Sequence, residues 1–173
     1  LIANGVGLTL VFRGAAGLRF TGFPLVVLLL ALPLPGVLFN EIIFQFQMWT
    51  AQWAGWLLHQ GGFVAHVQGD LVIRPEDTFE IVEGCSGVRS VEALTLLSIL
   101  AVDSFGRRGL HAVILVAIAP AVAFVMNGFR VLTLIFNPDS DVVAIHNLQG
   151  VVILLAGLVL LVGIDGLLAR LIV

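Results

Sequence analysis

The chain has little of what keeps a protein in water. Charged residues make up 11% of its 173 positions, against about 25% in an ordinary globular protein. Lysine is missing, so all eight cations are arginines. With no basic run and a net charge of −3, the chain lacks the electrostatic footprint of a nucleic-acid binder. Cysteine is nearly absent too: Cys85 stands alone, which excludes an internal disulfide framework. No HExxH and no paired Cys–His spacing occurs, so the sequence points to no metal site and no cofactor. A Gly-rich phosphate loop and a GxSxG elbow are also missing, which argues against a P-loop nucleotide site and a serine hydrolase. No internal repeat or low-complexity segment is apparent, and nothing suggests a second, soluble domain.

What is abundant is apolar. Sixty percent of residues are hydrophobic, against roughly 45–50% in a soluble domain, and the mean hydropathy is +1.12. Such a chain has too few polar residues to cover a surface, and its natural solvent is lipid. The expected fold is an all-α polytopic membrane helix bundle, a single integral membrane domain over residues 1–173. A hydrocarbon core of about 30 Å takes roughly 20 helical residues to cross. Three charge-free stretches suffice: Phe20 to Asn40, Gly109 to Phe129 and Val142 to Ile164. A fourth, Ser86 to Val102, carries Arg89 and Glu92 in its first two turns and runs apolar afterwards. Leu1 to Phe12 reads as the remainder of a further helix begun upstream. The expectation is therefore four full spans and a partial N-terminal one.

Arginine placement sets the orientation. Arg13, Arg19, Arg107, Arg108 and Arg170 all fall on one side, which the positive-inside rule makes cytoplasmic. The other side holds Arg74, Arg89 and Arg130 and nine of the eleven acids, leaving Asp103 and Asp165 inside. Glu41 to His59 repeats Ile42, Ile43, Phe46, Trp49, Trp53, Trp56 and Leu57 at helical spacing. This pattern predicts an amphipathic helix in the outer interface, with tryptophans at headgroup depth; a crossing helix would break the arginine rule. From Phe63 to Arg74 a Gly69-Asp70 turn signal predicts an extracytoplasmic β-hairpin, with Thr78 to Val82 as a third short strand.

The reactive groups converge on the outer side. Cys85 sits directly before a helix predicted to open at Ser86-Gly87, where the positive end of the helix dipole favours a thiolate. Ser86 is placed to cap the first turn, and the free amides there could receive an oxyanion. The alternative is a small buried hydrophobe, which a free cysteine often is. Arg130 lies twenty residues after Leu110, roughly 30 Å along a helix, which brings it to the same interface. It either snorkels to headgroups or serves a buried site. Asn127 shares its face and is placed to orient it. His146 follows the outer loop containing Asn137-Pro138-Asp139 and returns to the same depth. Glu83 and Glu92 are candidates to orient Arg89 or Arg130, and Arg89 and Glu92 are also spaced to pair with each other. His59, His66 and His111 are weaker candidates.

These residues form a pattern. Glu83-Gly-Cys-Ser-Gly-Val-Arg-Ser90, then Asn127-Gly-Phe-Arg130, then His146 ahead of Gly150 resemble the exosortase/archaeosortase signature, which places Cys, Arg and His in this order. The similarity extends over Phe23-Pro24 and Pro33-Leu-Pro35, and so covers roughly residues 20 to 165. Familiar full-length members generally have more transmembrane helices. The resemblance implies a membrane cysteine transpeptidase or protease with Cys85 as nucleophile and Arg130 and His146 completing the active site. It also implies exported protein partners bearing a C-terminal sorting signal: a Pro-Glu-Pro-like motif, a transmembrane helix and a basic tail. The location expected is the cell membrane, with the site on the extracytoplasmic face. A non-enzymatic membrane protein, a transporter or assembly scaffold, is the competing reading, and under it Cys85 would be unreactive.

Overall fold

A computed structural model describes residues 36–137 and 143–171, together with Pro24, Val27 and Leu28. The helix expected at Leu1 to Phe12, and most of the span expected from Phe20, lie outside the described residues. Within them the chain forms helix α1 (Gly36–Gln60), strands β1 (His66–Gln68), β2 (Leu71–Ile73) and β3 (Thr78–Glu80), and a 3-10 turn at Glu83–Cys85. Helices α2 (Val88–Ser104), α3 (Gly109–Phe136) and α4 (Val143–Leu171) follow.

Among the described residues three segments are long and apolar enough to cross a membrane: Glu83–Ser104, Gly109–Phe136 and Ala144–Leu171. They correspond to three of the four full spans expected. Two run further than the charge-free stretches suggested. α3 continues past Arg130 to Phe136, and α4 continues past Asp165 to Leu171. Asp165 is tolerated inside a helix because it is paired. It accepts hydrogen bonds from Arg107 Nε at 2.9 Å and Arg107 Nη2 at 2.6 Å, and lies 2.7 Å from His111 Nε2. Asp165 and His111 are both buried. A carboxylate held by two partner residues no longer ends an apolar segment. The cluster ties the α2–α3 connection and the start of α3 to α4, at the end where the arginine rule groups Arg107, Arg108 and Asp165.

Helix α1 departs from expectation. It is one helix of 25 residues, about 37 Å long, so no break falls between Asn40 and Glu41. Its buried stripe is Ile43, Thr50, Ala51, Ala54, Gly55 and Leu58, while Trp49 and Trp56 are half exposed. Phe46 meets Phe124 edge-on, and Trp53 lies so close to Gly128 that an added Cβ there would overlap its indole. The contacts ascend both helices together, so α1 has a component along α3 in the same chain direction. Ala51 and Ala54 lie in a core shared with the sheet and α3, and Gly55 leaves room for Val67 of β1.

The expected hairpin is present and extended to three antiparallel strands in the order β1-β2-β3. Gln68 pairs with Leu71 across the two-residue Gly69-Asp70 turn, and Gly69 adopts φ +67°, a conformation that glycine alone accepts freely. Leu71 then pairs with Glu80 and Ile73 with Thr78. The inward residues Val72 and Ile81 join Ala51, Ala54 and Leu58 of α1, Val131 and Leu134 of α3, and Cys85 in one core. A second core of Leu94, Leu115, Ala119, Val122, Ala123 and Leu161 holds α2, α3 and α4 together. Outward from it, Val151, Val152, Leu155, Val159 and Val162 of α4 are exposed, as a lipid-facing surface requires.

Candidate active site

The chain leaves β3 at Glu80 and must reverse into α2 within a few residues. It does so through the 3-10 turn, closed by Cys85 N–H to Val82 O at 2.8 Å and Ser86 N–H to Glu83 O at 3.1 Å. Ser86 Oγ donates to the same Glu83 carbonyl at 2.8 Å and receives only a long 3.5 Å bond from Val88 N–H. Ser86 therefore closes the turn more than it caps the helix. The N-cap is Gly87, at φ +90°, and α2 opens at Val88, two residues later than the sequence suggested.

Gly87 is required twice over. A side chain is strained at that φ, and an added Cβ would stand 2.6 Å from Asn127 Nδ2 and 2.7 Å from its Cγ. Asn127 occupies that space because its Nδ2 donates to the Cys85 carbonyl at 2.8 Å. It was expected to orient Arg130; it holds the backbone of Cys85 instead.

Cys85, Arg130 and His146 do come together. The Cys85 Sγ lies 3.8 Å from His146 Nε2, within hydrogen-bond reach for sulfur. Arg130, 7% exposed, sends Nη1 to Gly84 O at 2.9 Å and Nη2 to His146 O at 3.5 Å. One planar guanidinium thus joins the turn bearing the thiol to the helix turn bearing the imidazole. Gly150, one turn on from His146, lies against this guanidinium: a Cβ there would stand 3.4 Å from Arg130 Nη2, in ordinary contact. No carboxylate pairs with Arg130 among the described residues. The thiol is 1% exposed, whereas His146 is only partly buried. The side chain missing at Gly84 would have stood 3.9 Å from His146 Nε2, so the surface above the imidazole is left open there.

The remaining candidates separate. Glu83 Oε1 accepts from Arg89 Nη2 at 3.2 Å, with 55% and 80% of the two side chains exposed. Exposed pairs of this kind contribute little. Arg89 pairs with Glu83 rather than Glu92, and neither acid reaches Arg130. Among the described residues no three His, Cys, Asp or Glu side chains are grouped to hold a metal ion.

Two residues of α1 were not singled out by sequence. Thr50 Oγ1 donates to Ser86 O at 3.0 Å and Gln47 Nε2 to Ile81 O at 2.7 Å. The available signal was Thr50 standing seven residues after Ile43, on a face otherwise apolar.

A family model described as transmembrane exosortase matches residues 1–163. No curated protein and no solved structure matches.

Proposed function

The chain belongs to the transmembrane exosortase family, and from that premise we propose that it is a membrane cysteine transpeptidase or peptidase with Cys85 as its nucleophile. Its partners in this reading are exported proteins that end in a Pro-Glu-Pro-like motif, a transmembrane helix and a basic tail. The arginine distribution supports a site on the extracytoplasmic face. The observation that carries the reading is the 3.8 Å approach of Cys85 Sγ to His146 Nε2, with Arg130 bonded to both elements.

In the first half-reaction His146 Nε2 takes the thiol proton as the Cys85 sulfur attacks the scissile carbonyl carbon. The tetrahedral intermediate collapses, the C–N bond breaks, and His146 returns that proton to the leaving amine. A thioester remains on Cys85. In the second half-reaction an amine or water attacks the thioester, His146 removes the incoming proton, and the thiol leaves reprotonated. An amine completes a transpeptidation, water a hydrolysis. Arg130 keeps its proton throughout. Its Nη1 and Nη2 each donate to a backbone carbonyl, which holds nucleophile and base in register, and its other N–H groups suit an oxyanion or a substrate carboxylate.

The test is a co-expressed substrate with such a C-terminal signal. Cys85→Ala should abolish processing while membrane insertion is retained. Full cleavage by that variant would overturn the assignment, and a Cys85 that resists alkylation at neutral pH in the wild type would favour a transporter or scaffold.

A further inference from the structure

We infer that Thr50 of α1 is a positioning residue for this chemistry, acting by fixing the peptide that joins Ser86 to Gly87; the inference rests on the function proposed above. The starting point is where the carbonyls of the turn go. Ile81 O accepts from Gln47, Val82 O from the Cys85 amide and Glu83 O from Ser86. Gly84 O accepts from Arg130, Cys85 O from Asn127 and Ser86 O from Thr50. Six consecutive carbonyls each have a donor, and four of those donors are side chains on α1 or α3. Turns of this length usually leave some carbonyls to water; here the backbone around the thiol is oriented from outside.

A trans peptide is planar, so the N–H of each residue points opposite to the preceding carbonyl. With the Ser86 carbonyl drawn to Thr50, the Gly87 N–H is turned away from α1. The Cys85 and Ser86 amides are already spent on Val82 O and Glu83 O. The Gly87 amide has no acceptor among the described residues, and it stands two residues from the sulfur. In this inference it donates to a developing oxyanion, and the Thr50 hydroxyl sets its direction, away from α1.

The hydroxyl is committed to this role. A helical threonine ordinarily bonds a carbonyl of its own helix, but Thr50 reaches across to a residue 36 positions on and is 1% exposed. Without it the Ser86 carbonyl is buried with no side-chain donor. The peptide can then rotate, which presents a carbonyl oxygen where an amide hydrogen stood. Valine matches threonine in shape and branching, so Thr50→Val removes the bond and leaves the packing.

Thr50→Val, Thr50→Ser and the wild type are compared in native membranes, by kcat and KM for substrate processing and by the alkylation rate of Cys85 without substrate. For Thr50→Val, kcat should fall about tenfold or more, up to the roughly 10²–10³ that loss of one oxyanion donor costs, with KM within about twofold. Alkylation should slow several-fold, and Thr50→Ser should restore both to within about threefold. A merely structural threonine predicts less folded protein with unchanged kcat per alkylatable thiol, and that result overturns the inference. So does a slow Thr50→Val that serine fails to rescue. If the wild type processes nothing, the proposed function fails and the inference falls with it, whereas a processing wild type matched by Thr50→Val overturns the inference alone.

Discussion

Gly87→Ala is expected to destabilise the protein by about 2–5 kcal/mol, in two parts that can be separated experimentally. The first part is conformational. At φ +90° an L-residue is held outside its favoured backbone regions, at a cost of roughly 1–2 kcal/mol. The second is a collision. The new methyl group would lie 2.6 Å from Asn127 Nδ2 and 2.7 Å from Cγ, so the carboxamide must swing off the Cys85 carbonyl. Asn127 is fully buried, and leaving a buried donor and acceptor unpaired costs about 1–3 kcal/mol. Thermal unfolding in detergent of Gly87→Ala, Asn127→Ala and the double variant reads both parts. In the Asn127→Ala background the carboxamide is already gone, so Gly87→Ala should add only about 1–2 kcal/mol. Some of that is residual pressure on the remaining Asn127 Cβ, 3.0 Å from the new methyl. The two substitutions should therefore couple by roughly 1–3 kcal/mol. Additivity within ~0.5 kcal/mol, the behaviour of independent sites, would refute the claim that Gly87 is glycine to make room for Asn127.

Three further expectations follow from the charged groups. Arg130→Lys replaces a planar fork by a single ammonium, which cannot serve both Gly84 O and His146 O; processing should drop at least about tenfold, and a wild-type rate would leave that bridge without a role. Asp165→Asn strips Arg107 and His111 of their carboxylate and should cost about 3 kcal/mol, at the lower end for a broken buried pair because Arg107 is 28% exposed. Glu83→Gln, which breaks the exposed pair with Arg89, should stay within ~0.5 kcal/mol; equal midpoints for the two variants in thermal unfolding would contradict this ranking.

The convergence of Cys85, Arg130 and His146 was legible because it follows from counting along helices. Residues at known distances from charged ends arrive at known depths. Gly69-Asp70 was legible as a local turn signal. The continuity of α1 was not. Glu41 looked like a boundary, whereas the burial of Ala51 and Ala54 against α3 and the sheet and of Gly55 against Val67 depends on partners that a linear reading cannot supply. The length of α4 was hidden likewise, since Asp165 ends an apolar run only if nothing neutralises it. Asn127 was assigned to the wrong neighbour because helical spacing brings it near Arg130, and only the folded turn shows Cys85 O in front of its amide. Thr50 and Gln47 are the hardest case: their partners lie 36 and 34 residues away, and neither residue type is diagnostic.

Helix α4 is keyed at both ends. Near one end His146 meets Cys85 and gives its carbonyl to Arg130; near the other Asp165 is gripped by Arg107 and His111. The two residues are separated by nineteen helical steps, about 28 Å, close to the ~30 Å of a hydrocarbon core. A rod latched at two such points cannot slide or turn by itself without breaking one latch. A bilayer that thins or thickens is then met by the lipids or by tilting of the whole bundle. The imidazole keeps its place over the thiol because the protein carries its own ruler.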